Sequence, residues 1–300
     1  MIHPRARTFS SPSLPAPLKS SVAMRSAITL TLVPETKAGP FVFHAGLADG
    51  CAQAAALGYD AVEIFPPSAV AVDPAALTAL LAQHKLKVAA IGTGAGWIVR
   101  KLSLTSPAAA VRRDARAFIA EIIDLAGRFG APAIIGSMQG RWDAAAGPTR
   151  EQALAWLGEA LDELGARAAR HGTTLLYEPL NRYETNLFNR LGETAAWLRS
   201  LAAPGVRSVL ILADLFHMNI EEADSAAALR EAGALVGHVH FADSNRRAIG
   251  LGQTNIAPII AALRAIGYAG YLSAEIFPLP DAATAARRTI ESFRRHTQAR

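Results

Sequence analysis

The stretch Val206-Arg-Ser-Val-Leu-Ile-Leu-Ala213, then Glu222–Glu231, then Val236-Gly-His-Val-His-Phe241 decides how this chain is read. Two short runs, rich in Val or Leu and largely apolar, flank a segment whose apolar residues recur at helical spacing. A strand of that kind must be covered on both faces, as in a parallel sheet with helices laid against it. The unit repeats in both directions. Strands are predicted at Ala27–Val33, Ala61–Phe65, Val88–Ile91, Pro132–Ile135, Thr173–Tyr177, Val206–Ala213, Val236–Phe241 and Tyr271–Ile276. Helices are predicted to follow at Leu47–Leu57, Pro74–His84, Ala108–Phe129, Arg150–Arg170, Thr194–Leu201, Glu222–Glu231, Ile256–Ile266 and Ala282–His296. Gly58, Gly130, Gly172 and Gly267 each follow a last helical turn, and Asp73-Pro74 reads as an N-cap with proline at the first helical position.

Eight such alternations without a break in composition point to one α/β domain, a (β/α)8 TIM barrel over residues 26–300. The count of eight favours a closed barrel over an open doubly wound sheet. No G-x-G-x-x-G follows the first strand, and Gly92-Thr-Gly-Ala-Gly96 lacks a following Lys-Ser/Thr, so it reads as a flexible loop. Residues 1–25, rich in Pro and Ser, read as a disordered N-terminal extension or as sequence upstream of a start at Met24. A targeting peptide is the sharper reading of that basic segment, but it lacks the apolar core of a secretory signal, so the cytoplasm is expected.

With 51% hydrophobic and 18% charged residues, the 300-residue chain is not disordered or fibrous. Its single cysteine, Cys51, excludes an internal disulfide and a cysteine-rich zinc module. No apolar run reaches the ~18 residues of a membrane span. The net charge of +5 suggests nucleic acid until it is divided by position. Residues 1–25 carry +4 and residues 281–300 carry +3, which leaves the body at −2. A nucleic-acid partner is therefore not expected.

In a barrel of this type the C-terminal strand ends form the active site. Four consecutive predicted strands carry a chemically capable residue there: Glu178 in Leu-Leu-Tyr-Glu178-Pro, Asp214 in Leu-Ala-Asp214, His240 in His238-Val-His240-Phe and Glu275 in Ser-Ala-Glu275-Ile. Taken singly, such a glutamate is usually a cap or a surface ion pair, and such a histidine is usually a core residue. Together they are costly to bury without a compensating charge, which a divalent cation supplies. Three oxygen donors and one nitrogen suit Mn²⁺, Mg²⁺ or Co²⁺, with Zn²⁺ also compatible. A second layer lies in the loops beyond: Glu184, His217, Arg246 and Arg247. His238 shares a strand face with His240, one layer deeper, and reads as a core or supporting histidine. Cys51 reads as core, and the loop from Gly136 to Trp142 as near the substrate.

The stretches Glu178-Pro-Leu-Asn-Arg-Tyr-Glu184-Thr, Asp214-Leu-Phe-His217-Met-Asn and His238-Val-His240-Phe-Ala-Asp-Ser-Asn-Arg246-Arg resemble the xylose-isomerase-like barrel superfamily. Within it they look most like the tagatose/psicose ketose 3-epimerases, over roughly residues 27–298. The resemblance implies a Mn²⁺-type ion held by Glu178, Asp214, His240 and Glu275. It also implies that Glu178 and Glu275 act as acid and base on opposite faces of a ketose, passing through an enediolate. Glu184, His217 and Arg246 would bind the sugar, and the assembly would be a homodimer. Gln253 and Asn255 stand where related sequences often carry His and Asp, so the Gly250–Asn255 turn departs from the pattern. Sister enzymes share the four-ligand set, which leaves open a hydroxypyruvate-type or aldose–ketose isomerase and an inosose-processing enzyme. An abasic-site endonuclease would need a richer ligand set. A barrel that binds sugar without turning it over is the third class.

Overall fold

The computed structural model describes residues 23–298; the remainder of the expected N-terminal extension, residues 1–22, lies outside them. Eight strands, β1 Arg25–Thr31, β2 Ala61–Phe65, β3 Lys87–Gly92, β4 Ala133–Ile135, β5 Leu175–Tyr177, β6 Val209–Asp214, β7 Val236–His240 and β8 Tyr271–Ala274, close in chain order into a barrel. Every neighbouring pair is parallel. Ten helices surround them among the described residues: α1 Leu47–Leu57, α2 Pro74–His84, α3 Ala95–Arg100, α4 Ala109–Gly127, α5 Arg150–Arg170, α6 Leu191–Ser200, α7 Leu215–Glu221, α8 Ser225–Ala232, α9 Ile256–Ala265 and α10 Ala282–Thr297.

The local signals act as expected where they are strong. Asp73 caps α2 by accepting from the Ala75 N–H, and Gly58 ends α1 in the left-handed region at φ +78°. Four expectations need correction. Strand β1 starts at Arg25, because its N–H donates to the Gly270 carbonyl and the strand pairs with Tyr271. Strand β6 starts only at Val209, because Pro204–Ser208 forms a 3-10 turn pressed against α5. A Cβ on Gly165 of α5 would lie 2.3 Å from the Gly205 carbonyl oxygen. The helix expected at 222–231 is α8, Ser225–Ala232, capped by Asp224, and an unexpected further helix, α7, runs from its Asp214 cap to Glu221. The Gly92–Gly96 stretch is not loop throughout, since α3 begins at Ala95.

Packing divides into layers. A large apolar cluster lies between strands and helices and includes Cys51, as expected. Inside the barrel, Ala27, Ala61, Ala89 and Tyr271 form one small cluster, and Ala90, Ile134, Leu176 and Leu212 form another. Small residues at these positions suit the narrow interior of an eight-stranded barrel. Register then places the polar residues. Asp214 pairs with His240 and Leu212 with His238, so Asp214 and His240 lie at one depth and His238 one layer below.

Candidate metal centre and active site

The four strand-end residues converge. Glu178, Asp214, His240 and Glu275 each present a ligand atom, and these atoms all lie within 4.8 Å of one another. His240 Nδ1 is central, 3.3 Å from Asp214 Oδ2, 3.5 Å from Glu178 Oε1 and 3.6 Å from Glu275 Oε2. Asp214 divides its carboxylate: Oδ1 accepts from the Phe216 N–H and starts α7, while Oδ2 faces the cluster. The fit to a divalent cation rests on this donor set and on an orphaned atom. Glu178 Oε1 is buried and has no hydrogen-bond partner, a costly state for a carboxylate oxygen.

Electrostatics separates the acids. Burial raises the Glu178 carboxyl above the usual range, and repulsion from Glu275 and Asp214 adds to this against the attraction of His240. Burial acts on Asp214 in the same direction but is outweighed by His217, His240 and Arg246, which hold it below the usual range. His240 is held protonated well above its ordinary value, because Glu63, Glu275, Asp214 and Glu178 overcome the effect of burial.

The second layer is also brought together. His217 Nδ1 accepts from the Asn181 backbone N–H at 3.2 Å and lies 2.7 Å from the Asn181 amide nitrogen. The neutral ring then carries its proton on Nε2, which is buried without a partner 3.6 Å from Asp214 Oδ2. Burial pulls the His217 pKa down to about 4, so at neutral pH the ring is an uncharged donor aimed into the site. Glu184 accepts from the same Asn181 amide at 3.0 Å and keeps about 39% of its side chain exposed. Arg246 pairs with Glu275, lies 3.6 Å from Asp214 and stacks 4.8 Å over the Phe216 ring. Its loop is folded around the buried Asp243 carboxylate, which accepts from the N–H groups of Ser244, Gly250, Gly252 and Thr254. Arg247 is exposed, and Gln253 and Asn255 line a different cavity.

A cavity of about 70 Å³ opens onto these groups, with Glu178, Glu184, His217, His240, Arg246 and Glu275 in its wall. Gly136 and Ser137 line it too, in line with the expectation for that loop. Phe65 forms an apolar wall, stacked on Phe41 at 4.6 Å. Gly92 and Gly94 give that ring room: a Cβ on either would come within 3.0 Å of it. A larger cavity of about 440 Å³ near Met24, Asp60 and Arg294 contains none of the described His/Asp/Glu clusters.

Sequence reasoning missed Glu63. It sits 5% exposed in β2, 2.7 Å from His238 Nε2 and 3.0 Å from His240 Nε2. Those two rings hold its carboxyl well below the usual range although burial alone would raise it. The signal was present, since Ala61-Val-Glu63-Ile-Phe65 is another carboxylate in an apolar run. Gln139 and Asn181 were missed as well. Gln139 is fully buried and donates to the carbonyl of Glu178.

Gly136 gives a direct test of how tightly the cup is built. A Cβ there would lie 2.7 Å from Glu178 Oε2, too close for contact. Replacing Gly136 by Ala should lower turnover roughly 10²-fold, the effect of a displacement near 1 Å at a reacting group. The melting temperature should barely change. Steady-state rates and a thermal melt check this.

The family model described as "Xylose isomerase-like TIM barrel" matches residues 51–296. The chain belongs to this family. An L-ribulose 3-epimerase from Methylomonas sp. (strain DH-1) is 31% identical over 234 residues, 78% of this chain and 79% of that protein. An L-ribulose 3-epimerase from Mesorhizobium japonicum is 39% identical over 132 residues, so the match spans 43% of this chain and 42% of that relative. Further relatives of this family member are D-psicose and ketose 3-epimerases, isomerase-class enzymes acting on sugars. A solved L-ribulose 3-epimerase superposes with a TM-score of 0.73 at 26% identity, covering 91% of this chain and 96% of that one.

Proposed function

We propose that this barrel epimerises a ketose at C3, with Glu178 and Glu275 as the two proton-transfer groups. The observation that carries the reading is the meeting of these two glutamates, from strands three apart around the wall, at one buried cup with Asp214 and His240. Inverting C3 needs a proton removed on one face and returned on the other, and one carboxylate does not serve both faces. Glu178 and Glu275 also hold the ion, together with Asp214 and His240. Mn²⁺ is our assignment from the family resemblance, and three oxygen donors and one nitrogen suit it as they suit Mg²⁺ and Co²⁺. When bound, such an ion supplies positive charge that lowers the cost of the enediolate charge developing on the sugar.

The chain's own groups do the rest. The unpartnered His217 Nε2–H donates to a sugar hydroxyl or carbonyl oxygen. Arg246 supplies guanidinium donors, and the half-exposed Glu184 accepts from a hydroxyl at the mouth. Phe65 and Phe41 exclude water from one wall. The reading includes the cytoplasm as compartment and a homodimer as assembly. Among the described residues no helix is long and apolar enough to cross a membrane.

A ketose panel incubated with Mn²⁺ in D₂O and followed by NMR tests it. Deuterium at C3 with inverted configuration is expected. Aldose formation without exchange at C3 would overturn the epimerase in favour of an aldose–ketose isomerase. Sugar binding without turnover would favour a binding barrel.

A further inference from the structure

We propose that Glu63 is a positioning residue that selects the tautomer of His240 and so turns Nδ1 into the atom that faces the ion. The proposal rests on the metal-site reading above. Glu63 belongs to a second buried cluster with His238 and His240, lines the same cavity, and bonds to those two rings. Its two oxygens are divided between two rings: Oε1 lies 3.0 Å from His240 Nε2 and Oε2 lies 2.7 Å from His238 Nε2.

An ionised carboxylate only accepts, so both Nε2 atoms carry hydrogen. The other nitrogen of His240 then has a free lone pair once the ring is neutral. That nitrogen is the one surrounded by Asp214, Glu178 and Glu275. Without Glu63 no other described side chain accepts from His240 Nε2, and a proton on Nδ1 would remove a ligand. A carboxylate behind a ligating histidine is a general way to fix ring orientation and raise ligand basicity.

The backbone is shaped for this contact. The β2–β3 register shifts between Val62 and Glu63, and the β6–β7 register shifts between Ile211 and Leu212, beside His238. Irregularities of this kind re-aim a side chain. Here they occur next to two of the three partners.

Replacement by glutamine is informative because an amide cannot accept from both rings. Its oxygen takes one Nε2–H, and its NH₂ requires a lone pair on the other ring. One of the two histidines must therefore change tautomer.

The test has three parts. Long-range ¹H–¹⁵N correlation on histidine-labelled, Mg²⁺-loaded wild type should show His240 protonated at Nε2. A proton at Nδ1 overturns the proposal whatever the variants do. Mn²⁺ affinity, read from the free-ion EPR signal, should weaken roughly 10–100-fold in Glu63→Gln. It should weaken less in Glu63→Asp, which keeps the carboxylate, and less in His238→Gln, which leaves the Glu63–His240 contact in place. Equal losses in Glu63→Gln and His238→Gln would reduce Glu63 to packing and overturn the proposal. So would wild-type affinity in Glu63→Gln with His238 still protonated at Nε2, or two Mn²⁺ per chain, which would make Glu63 a ligand of its own site. Wild type that takes up neither ion would overturn the metal reading itself, an outcome distinct from all of these.

Discussion

Glu178→Gln and Glu275→Gln should each lower the epimerisation rate by roughly 10²–10⁴-fold, the usual contribution of a placed acid or base. Each glutamine keeps the shape of its side chain and one oxygen that can face an ion. What it loses is the ability to take or return a proton. The two variants should also differ in what they still do. With one glutamate left, the enzyme retains a base on one face of C3 only. The epimer whose C3–H points to that base still exchanges hydrogen with D₂O and keeps its configuration. The other epimer neither exchanges nor inverts.

The pattern reverses between the two variants, so a pair of epimeric ketoses read by NMR gives a two-by-two result. Loss of a mere ligand would slow both epimers alike in both variants. Exchange of both epimers in one variant would mean that a single group serves both faces, and the two-base mechanism would fail. Which epimer belongs to which glutamate follows from the same table of outcomes. The structure favours distinct roles, because Glu178 is buried with an orphaned oxygen while Glu275 is paired to Arg246.

Most of this arrangement was legible because barrel strands are short and apolar, so a single charged residue in one is conspicuous. Glu178, Asp214, His240 and Glu275 each interrupted such a run at the C-terminal end. Glu63 interrupts one as well, but a mid-strand residue is tied to the site only through register, and a shift between Val62 and Glu63 leaves no mark in composition. His217 was found from its spacing to Asp214, yet its orientation depends on Asn181, which is 36 residues away in sequence. Gln139 and the four N–H groups held by Asp243 are likewise contacts made by loop backbone. Polar residues in loops are common, and those with buried partners look the same in sequence as those in water. Helix α7 escaped the sequence for a related reason: Asp214 stands out for its chemistry, which hides its second role as the cap that accepts from the Phe216 N–H.

Mn²⁺ should raise the melting temperature more at about pH 8 than at about pH 6, with the gain growing by roughly 5 °C or more. The metal-free protein binds protons in the cup that the unfolded chain does not. Glu178 is held above the usual carboxylate range, chiefly by burial, and His240 is held well above the usual imidazole range by the acids that outweigh its burial. For both groups the folded pKa is raised, so the stability they contribute is lost as pH rises through neutrality. Asp214 and Glu63 are lowered, and the stability they contribute is lost only as pH falls below the ordinary carboxylate range, so they do not affect this comparison. His217, lowered to about 4, acts in the opposite sense but only below the usual histidine value near 6.5.

A cation needs the carboxylate of Glu178 and a lone pair on His240, so binding expels those protons. Each proton expelled adds up to about 1.4 kcal/mol of binding per pH unit, or near 2.7 kcal/mol over two units. At roughly 2–4 °C per kcal/mol for a barrel of this size, one proton already gives the stated change. Melts with and without Mn²⁺ at the two pH values measure it, and calorimetry in buffers of different ionisation enthalpy counts the protons directly. Glu178→Gln should remove the part of the pH dependence that Glu178 carries. A gain independent of pH in the wild type would show that the ion binds elsewhere than at these four side chains.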